Sequence, residues 1–177
     1  MKFATKTGDK GDSGLYNGKR VSKASAVFGC LGDLDELNSV LGWSKFAIEG
    51  AERGGVDLLF ERLQADIYRL MSIVGFEGNL PAGVNEISDE DVTFVEARLM
   101  EYEGRLGDMK KFVKPGTTEA ASRLHIVRTV CRRAERSLVG FADEVGLPEN
   151  VIKYVNRLSD LFFAMACCYE EELKEQG

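Results

Sequence analysis

Apolar residues recur at three- and four-residue intervals along most of the chain, the period of a helix buried on one side. Residues 24–49 carry Val27, Leu31, Leu34, Leu37 and Leu41, with polar Asp35 and Asn38 on another face. Residues 56–75 repeat the pattern with Leu59, Leu63, Ile67, Leu70, Met71 and Val74. Ser88 stands where an N-cap belongs, and Asp89, Glu90 and Asp91 suit the positive end of a helix dipole. That third helix runs through Val92, Val95, Leu99 and Tyr102 to about Leu106. A fourth opens near Thr117 or Thr118, follows Val127, Val130, Cys131, Ala134 and Leu138, and is expected to end near Gly140. Pro148 suits the first turn of a fifth, whose core positions are Val151, Val155, Leu158, Phe162, Met165 and Tyr169. Residues 75–85 and 107–116 read as loops, punctuated by Gly78, Pro81 and Gly83 in the first and Pro115 and Gly116 in the second. There is no β-rich run and no internal repeat. Short links between long amphipathic helices predict an all-α, up-and-down bundle of four to five helices, one domain over residues 1–177.

The first 23 residues break the pattern. They have neither helical nor strand periodicity, glycines at 8, 11, 14 and 18, and hydroxyls at Thr5, Thr7, Ser13 and Ser22. Lys2, Lys6, Lys10, Lys19, Arg20 and Lys23 face only Asp9 and Asp12, so the segment is +4 while the rest of the chain is −10. Glycine lets backbone N–H groups turn inward onto an anion, and lysines and hydroxyls would complete a phosphate cradle. A Walker A string is absent. A basic tail is the plainer alternative.

The fourth helix holds a second cationic cluster, Arg128-Thr-Val-Cys-Arg132-Arg133-Ala-Glu135-Arg136. Arg128, Arg132 and Glu135 fall at i, i+4 and i+7 and share a face apart from the apolar stripe. Guanidinium groups on a rigid backbone grip carboxylates or phosphates bidentately, whereas a solvated face laced with i, i+4 pairs asks for the same residue types. In the last helix, Asn156-Arg157-Leu158-Ser159-Asp160 forms a compact polar patch, either plain helix surface or a site for phosphate or magnesium.

Composition narrows the chemistry. A net charge of −6 argues against a nucleic-acid partner. The longest apolar run, Leu161–Tyr169, is too short to span a bilayer, and the N-terminus has no signal-peptide core, so cytoplasmic residence and no membrane partner are expected. Cys30, Cys131, Cys167 and Cys168 lack a disulfide framework or zinc spacing and read as reduced, buried residues. His125 is the sole histidine and lacks the glutamate three residues earlier that di-iron bundles need. It is either structural or an axial ligand to a macrocycle metal.

The motifs together resemble PduO-type ATP:cob(I)alamin (corrinoid) adenosyltransferases. The strings that carry the likeness are Thr5-Lys-Thr-Gly-Asp-Lys-Gly-Asp-Ser-Gly-Leu15, Gly32-Asp-Leu-Asp-Glu-Leu-Asn-Ser39, Phe112-Val-Lys-Pro-Gly116, Leu124-His125, the arginine string and Asn156-Arg-Leu-Ser-Asp160. The resemblance implies a homotrimer of helical bundles with active sites between subunits. It implies that the N-terminal segment, through Thr5, Thr7, Gly8, Ser13 and Lys23, binds the triphosphate of ATP. Arg132, Glu135 and Asn156 would serve ATP and its Mg2+, the ion lying near Glu135 and Asn156. Asp35 would pair with Arg128 across the interface, and Phe112 would lie against the lower face of the corrin ring. The implied reaction moves the 5′-deoxyadenosyl group of ATP to the cobalt of cobalamin, with a reductase upstream and an adenosylcobalamin-dependent enzyme downstream. A non-catalytic ATP-binding or cobalamin-delivery bundle is the competing class. Ser13, Thr117 and Cys167 stand where the family more often has threonine, glycine and arginine.

Overall fold

The computed structural model describes residues 4, 6–50, 53–106 and 113–175, with side chains up to Glu170. Five α-helices form a bundle: α1 Ala26–Ser44, α2 Arg53–Gly75, α3 Asp89–Leu106, α4 Glu119–Val145 and α5 Glu149–Glu175. A 3-10 turn, Lys45–Ala47, follows α1. Helix α1 packs beside α2 and α4, α4 also packs on α5, and α5 on α3. The anticipated core forms, with Leu34, Leu37, Leu41, Leu63, Ile67, Leu70, Val127, Cys131, Ala134, Leu138, Val155, Leu158 and Phe162 all buried. Burying each such aliphatic side chain contributes roughly 1.5–3 kcal/mol, the main force that seats α4 between its neighbours.

Two helix ends follow local chemistry closely. Thr118 caps α4, its hydroxyl accepting the Ala121 N–H at 2.9 Å. Ser88 and Asp91 cap α3 reciprocally: the Ser88 N–H donates to Asp91 at 2.9 Å and the Asp91 N–H to Ser88 Oγ at 3.3 Å. Helix α4 does not stop near Gly140. The glycine is exposed, the helix continues to bury Phe141, and it ends at Gly146, whose φ of 74° and ψ of 53° give the left-handed cap that favours glycine. A glycine inside a helix costs only about 1 kcal/mol, less than burying the phenylalanine returns.

The sequence pattern missed a two-stranded antiparallel hairpin in the N-terminal segment. Strand β1, Asp12–Gly14, pairs with β2, Arg20–Ser22, so that Ser13 faces Val21. Its turn rests on the end of α2. Leu15 is buried, the Tyr16 ring lies 5.5 Å from that of Phe76, and Glu77 accepts from Asn17 at 2.8 Å and Lys19 at 2.5 Å. Gly75 is required at this seat: a Cβ there would lie 2.5 Å from the Tyr16 ring. Asn38, expected on a polar face, is buried as well.

Helices α2, α3 and α5 are tied by a polar knot. Buried Asp66 accepts from Arg62 Nε at 2.9 Å, Arg69 Nη1 at 2.8 Å and the Tyr154 hydroxyl at 2.8 Å. Asp91 accepts from Arg69 Nη2 at 2.6 Å and from Arg62. Arg69, more than any other neighbour, holds the Asp91 carboxyl well below the usual carboxylate range, with the Ser88 cap helping. Because the folded-state pKa is depressed, this contribution to stability is complete above about pH 4 and is lost as pH falls further. Asp91→Asn should therefore lower the melting temperature at pH 7 and flatten its fall between about pH 4 and pH 2. Melting curves across that range check this; an unchanged acid limb in the variant contradicts it.

Candidate active site

The hairpin organises the cationic N-terminal segment into a curved backbone. The Gly11 N–H donates to the Gly8 carbonyl at 3.2 Å, and the Lys23 N–H to the Gly11 carbonyl at 2.8 Å. Gly11 has a φ of 87°, which a side chain would resist. Arg20 is turned inward, donating to the carbonyls of Thr7 at 2.8 Å and Asp12 at 3.2 Å. The Lys23 ammonium lies against Gly8, so close that a Cβ there would sit 2.8 Å from Nζ. Thr7, Gly8 and Lys23 are thus neighbours, and Ser13 lies in the adjoining strand. Lys19, bound to Glu77, serves the hairpin seat instead. Thr5 lies outside the described residues.

Helix α4 sorts its arginines by what faces them. Arg133 Nε donates to Asp33 at 2.9 Å, its Nη2 to Glu36, and Ser137 adds a hydroxyl to Asp33, stapling α4 to α1. Arg132, one residue away, is exposed, and its side chain has no hydrogen bond or ion pair among the described residues. Arg128 is half-buried. Its guanidinium lies 5.5 Å from the centre of the Phe163 ring, and its Nε is buried without a hydrogen-bond partner. Asp35 is exposed on α1, between the two acids that take Arg133, and bonds to nothing among the described residues. Within one chain, then, Asp35 and Arg128 do not pair.

Glu135 and Asn156 do meet. Asn156 Nδ2 donates to Glu135 Oε1 at 2.8 Å, joining α4 to α5. Among the described residues no group of three or more His, Cys, Asp or Glu side chains could hold a metal ion. The pair fits a lesser role, since Mg2+ bound to ATP needs only one or two carboxylates besides phosphate oxygens.

Beyond the expected residues, an exposed aromatic, Phe163, flanks a groove of about 380 Å³ between α3 and α5, lined also by Leu99, Glu103, Leu106, Asp160, Ala164 and Cys167. The His125 ring lies 6.2 Å from Phe163. Both its nitrogens are buried without hydrogen-bond partners, and burial first, then Arg128, keeps its pKa below the ordinary histidine value. Glu170, also buried, accepts the N–H groups of Gly116 at 3.1 Å and Thr117 at 3.2 Å. It thereby fixes the turn that follows the Phe112 segment; Phe112 itself lies outside the described residues. All four cysteines are buried and outside any disulfide. Burial pushes the Cys30 thiol up to about 11, so it is no nucleophile near neutral pH.

The fold is a helical bundle with a row of arginines on α4, and comparison with known proteins specifies the class. The cobalamin adenosyltransferase profile matches residues 3–169. A corrinoid adenosyltransferase of Bacillus subtilis is 39% identical over 171 residues, covering 94% of this chain and 85% of the relative. The PduO corrinoid adenosyltransferase of Citrobacter freundii is 36% identical over 167 residues, covering 94% of this chain, which spans only 49% of that relative's length. Among solved structures, a variant of the PduO-type ATP:corrinoid adenosyltransferase from Lactobacillus reuteri, complexed with cobalamin and ATP, superposes with a TM-score of 0.84 at 29% identity. That likeness covers 97% of this chain and 96% of the other. The chain belongs to the cobalamin adenosyltransferase family.

Proposed function

We propose that this chain transfers the 5′-deoxyadenosyl group of ATP to the cobalt of cob(I)alamin, giving adenosylcobalamin and triphosphate. The observation that carries this reading is that Arg128 and Arg132, which share one face of α4, have no acidic partner among the described residues, whereas neighbouring Arg133 has two. An acidic chain that keeps these two unpaired has them available for an anion from outside. Family membership and the ATP- and cobalamin-bound neighbour point the same way.

In this reading the substrate supplies the nucleophile. Cobalt(I) gives an electron pair to the 5′ carbon, the carbon–oxygen bond breaks, and triphosphate leaves with that bond's electrons. The product is formally cobalt(III) with a new cobalt–carbon bond. Negative charge grows on the leaving group, and fixed cations placed there stabilise the transition state more than the ground state. Arg132 takes that role. Thr5, Thr7, Gly8, Ser13 and Lys23 hold the triphosphate, with backbone N–H groups and the Lys23 ammonium aimed at it. Glu135 and Asn156 would hold Mg2+, which spreads the phosphate charge when bound. Phe112 supplies an apolar surface against the lower face of the corrin, excluding water and the lower ligand from cobalt. The segment 1–23 thus works as a phosphate-binding arm of a single domain over 1–177, and the cytoplasm is the working place assigned to it.

We assign the active sites to the interfaces of a homotrimer. The contacts of Arg20 and Lys23 that shape residues 7–12 lie within the N-terminal segment itself. Asp35 and Arg128, which have no ion pair among the described residues, are the complementary charges left for a neighbouring copy. A reductase supplying cob(I)alamin and an enzyme consuming adenosylcobalamin are the partners this chemistry requires.

Arg132→Ala should lower kcat/KM by about 10²–10³-fold. The melting temperature should be unchanged, because the side chain bonds to nothing among the described residues. Anaerobic steady-state kinetics at saturating ATP check this; near-parental turnover contradicts it.

Sedimentation should show a trimer, and Arg128→Ala should weaken assembly or activity. Removing one member of a desolvated pair strands the other. The double variant Asp35→Ala with Arg128→Ala should therefore lose less than the two single losses combined. A fully active monomer, or strictly additive losses, contradicts the pairing.

A further inference from the structure

Asn156 is the middle member of a hydrogen-bond chain that runs across three helices. Its Nδ2 donates to Glu135 Oε1 on α4 at 2.8 Å. Its Oδ1 accepts from Nη1 of its neighbour Arg157 at 2.9 Å. Arg157 Nε in turn donates to Glu96 Oε1 on α3 at 2.9 Å, and Nη1 lies 3.5 Å from Asp160. A side-chain amide can present either its oxygen or its nitrogen to a neighbour. A guanidinium has five donors and no acceptor, so whatever Arg157 touches on Asn156 must be the oxygen. The nitrogen is then turned to Glu135. The reverse orientation would put the amide oxygen against a carboxylate and the amide N–H₂ against a guanidinium, repulsive at both contacts.

We propose that Arg157 and Glu96 are positioning residues for the ATP end of the site. Glu96 holds the Arg157 fork, Arg157 sets the amide of Asn156, and Asn156 bonds one oxygen of Glu135, leaving Oε2 free of hydrogen bonds among the described residues. A carboxylate bonded on one oxygen and open on the other is pre-oriented for a further ligand. Freezing it beforehand removes ordering cost from binding. This gives α3, which contributes no site residue of its own, a part in nucleotide recognition. The inference rests on the proposed ATP site at Glu135 and Asn156.

An alternative role for Arg157 is a plain staple between α3 and α5. Both partners are roughly two-fifths exposed, and a pair that open to solvent adds little to stability. The two roles separate in a binding experiment. Calorimetric titration of the intact protein with MgATP, without cobalamin, should show about tenfold weaker affinity in Arg157→Met, which keeps the apolar stem and removes the fork. Glu96→Gln should weaken it less, and Arg157→Lys should restore part of the loss by returning one donor to Asn156. The deciding readout is the cycle with Asn156→Ala: adding Arg157→Met to that variant should bring little further loss, because Arg157 acts through the amide. Melting temperatures should stay close to the parent's. MgATP affinity unchanged in Arg157→Met but weakened in Asn156→Ala overturns the positioning role alone. Affinity unchanged in both overturns it together with the ATP-site reading. Fully additive losses, or a loss that follows the melting temperature, make Arg157 a staple.

Discussion

Helix α4 must satisfy two demands with one backbone, and the rest of the bundle is arranged around that. Its apolar stripe, Val127, Val130, Cys131, Ala134 and Leu138, is buried between α1 and α5. Successive residues on a helix point about 100° apart, so burying that stripe fixes where each arginine goes. Arg133 is carried onto α1, where Asp33 and Glu36 neutralise it. Arg132 is carried out to solvent and Arg128 onto the Phe163 ring. A chain with a net charge of −6 has acids to spare. That Arg128 and Arg132 meet no carboxylate among the described residues is therefore a matter of geometry.

The supporting structure keeps that geometry rigid by polar as well as apolar means. Asp66 and Asp91 share Arg62 and Arg69, and Tyr154 joins them, so α2, α3 and α5 form one base. On the other side, the Asp33–Arg133–Ser137 contacts set α1 against α4. Glu170 fixes the turn before α4 from the far end of α5. Each tie leads toward a residue of the proposed site: Asp35 beside Asp33, Asn156 on α5, Phe112 ahead of the Gly116 turn. Catalysis by placed charge needs such stiffness, because a cation that must reorganise during the reaction forfeits part of its effect.

Much of this was legible in the residues. Helical periodicity located five helices and most of the core, the Ser88 cap stood where its side chain and the acidic turn after it placed it, and α4 opened at Thr118 as its spacing suggested. What escaped was decided by tertiary context. Three-residue strands are too short to show alternation, so the hairpin was invisible until Tyr16 found its seat on Gly75. Gly140 looked like a helix end, because the sequence does not show that Phe141 beyond it is buried. Asp66 and Glu170 look like ordinary polar positions on long helices, and only the packed neighbours make them buried acceptors. Phe163 lies inside the apolar run Leu161–Tyr169 and so passes for core. Spacing put Arg128 and Arg132 on one face, but nothing in the spacing said that Arg133, not they, would be paired within the chain.

The account stands or falls on the fate of ATP. The purified protein should be incubated anaerobically with ATP, Mg2+ and chemically reduced cob(I)alamin, and the phosphorus-containing products resolved by nuclear magnetic resonance alongside the absorption spectrum of the corrinoid. One triphosphate released for each adenosylcobalamin formed, with none in the absence of cob(I)alamin, is the predicted result. ATP that binds but remains intact, with the corrinoid unalkylated, would contradict it and make the bundle a carrier.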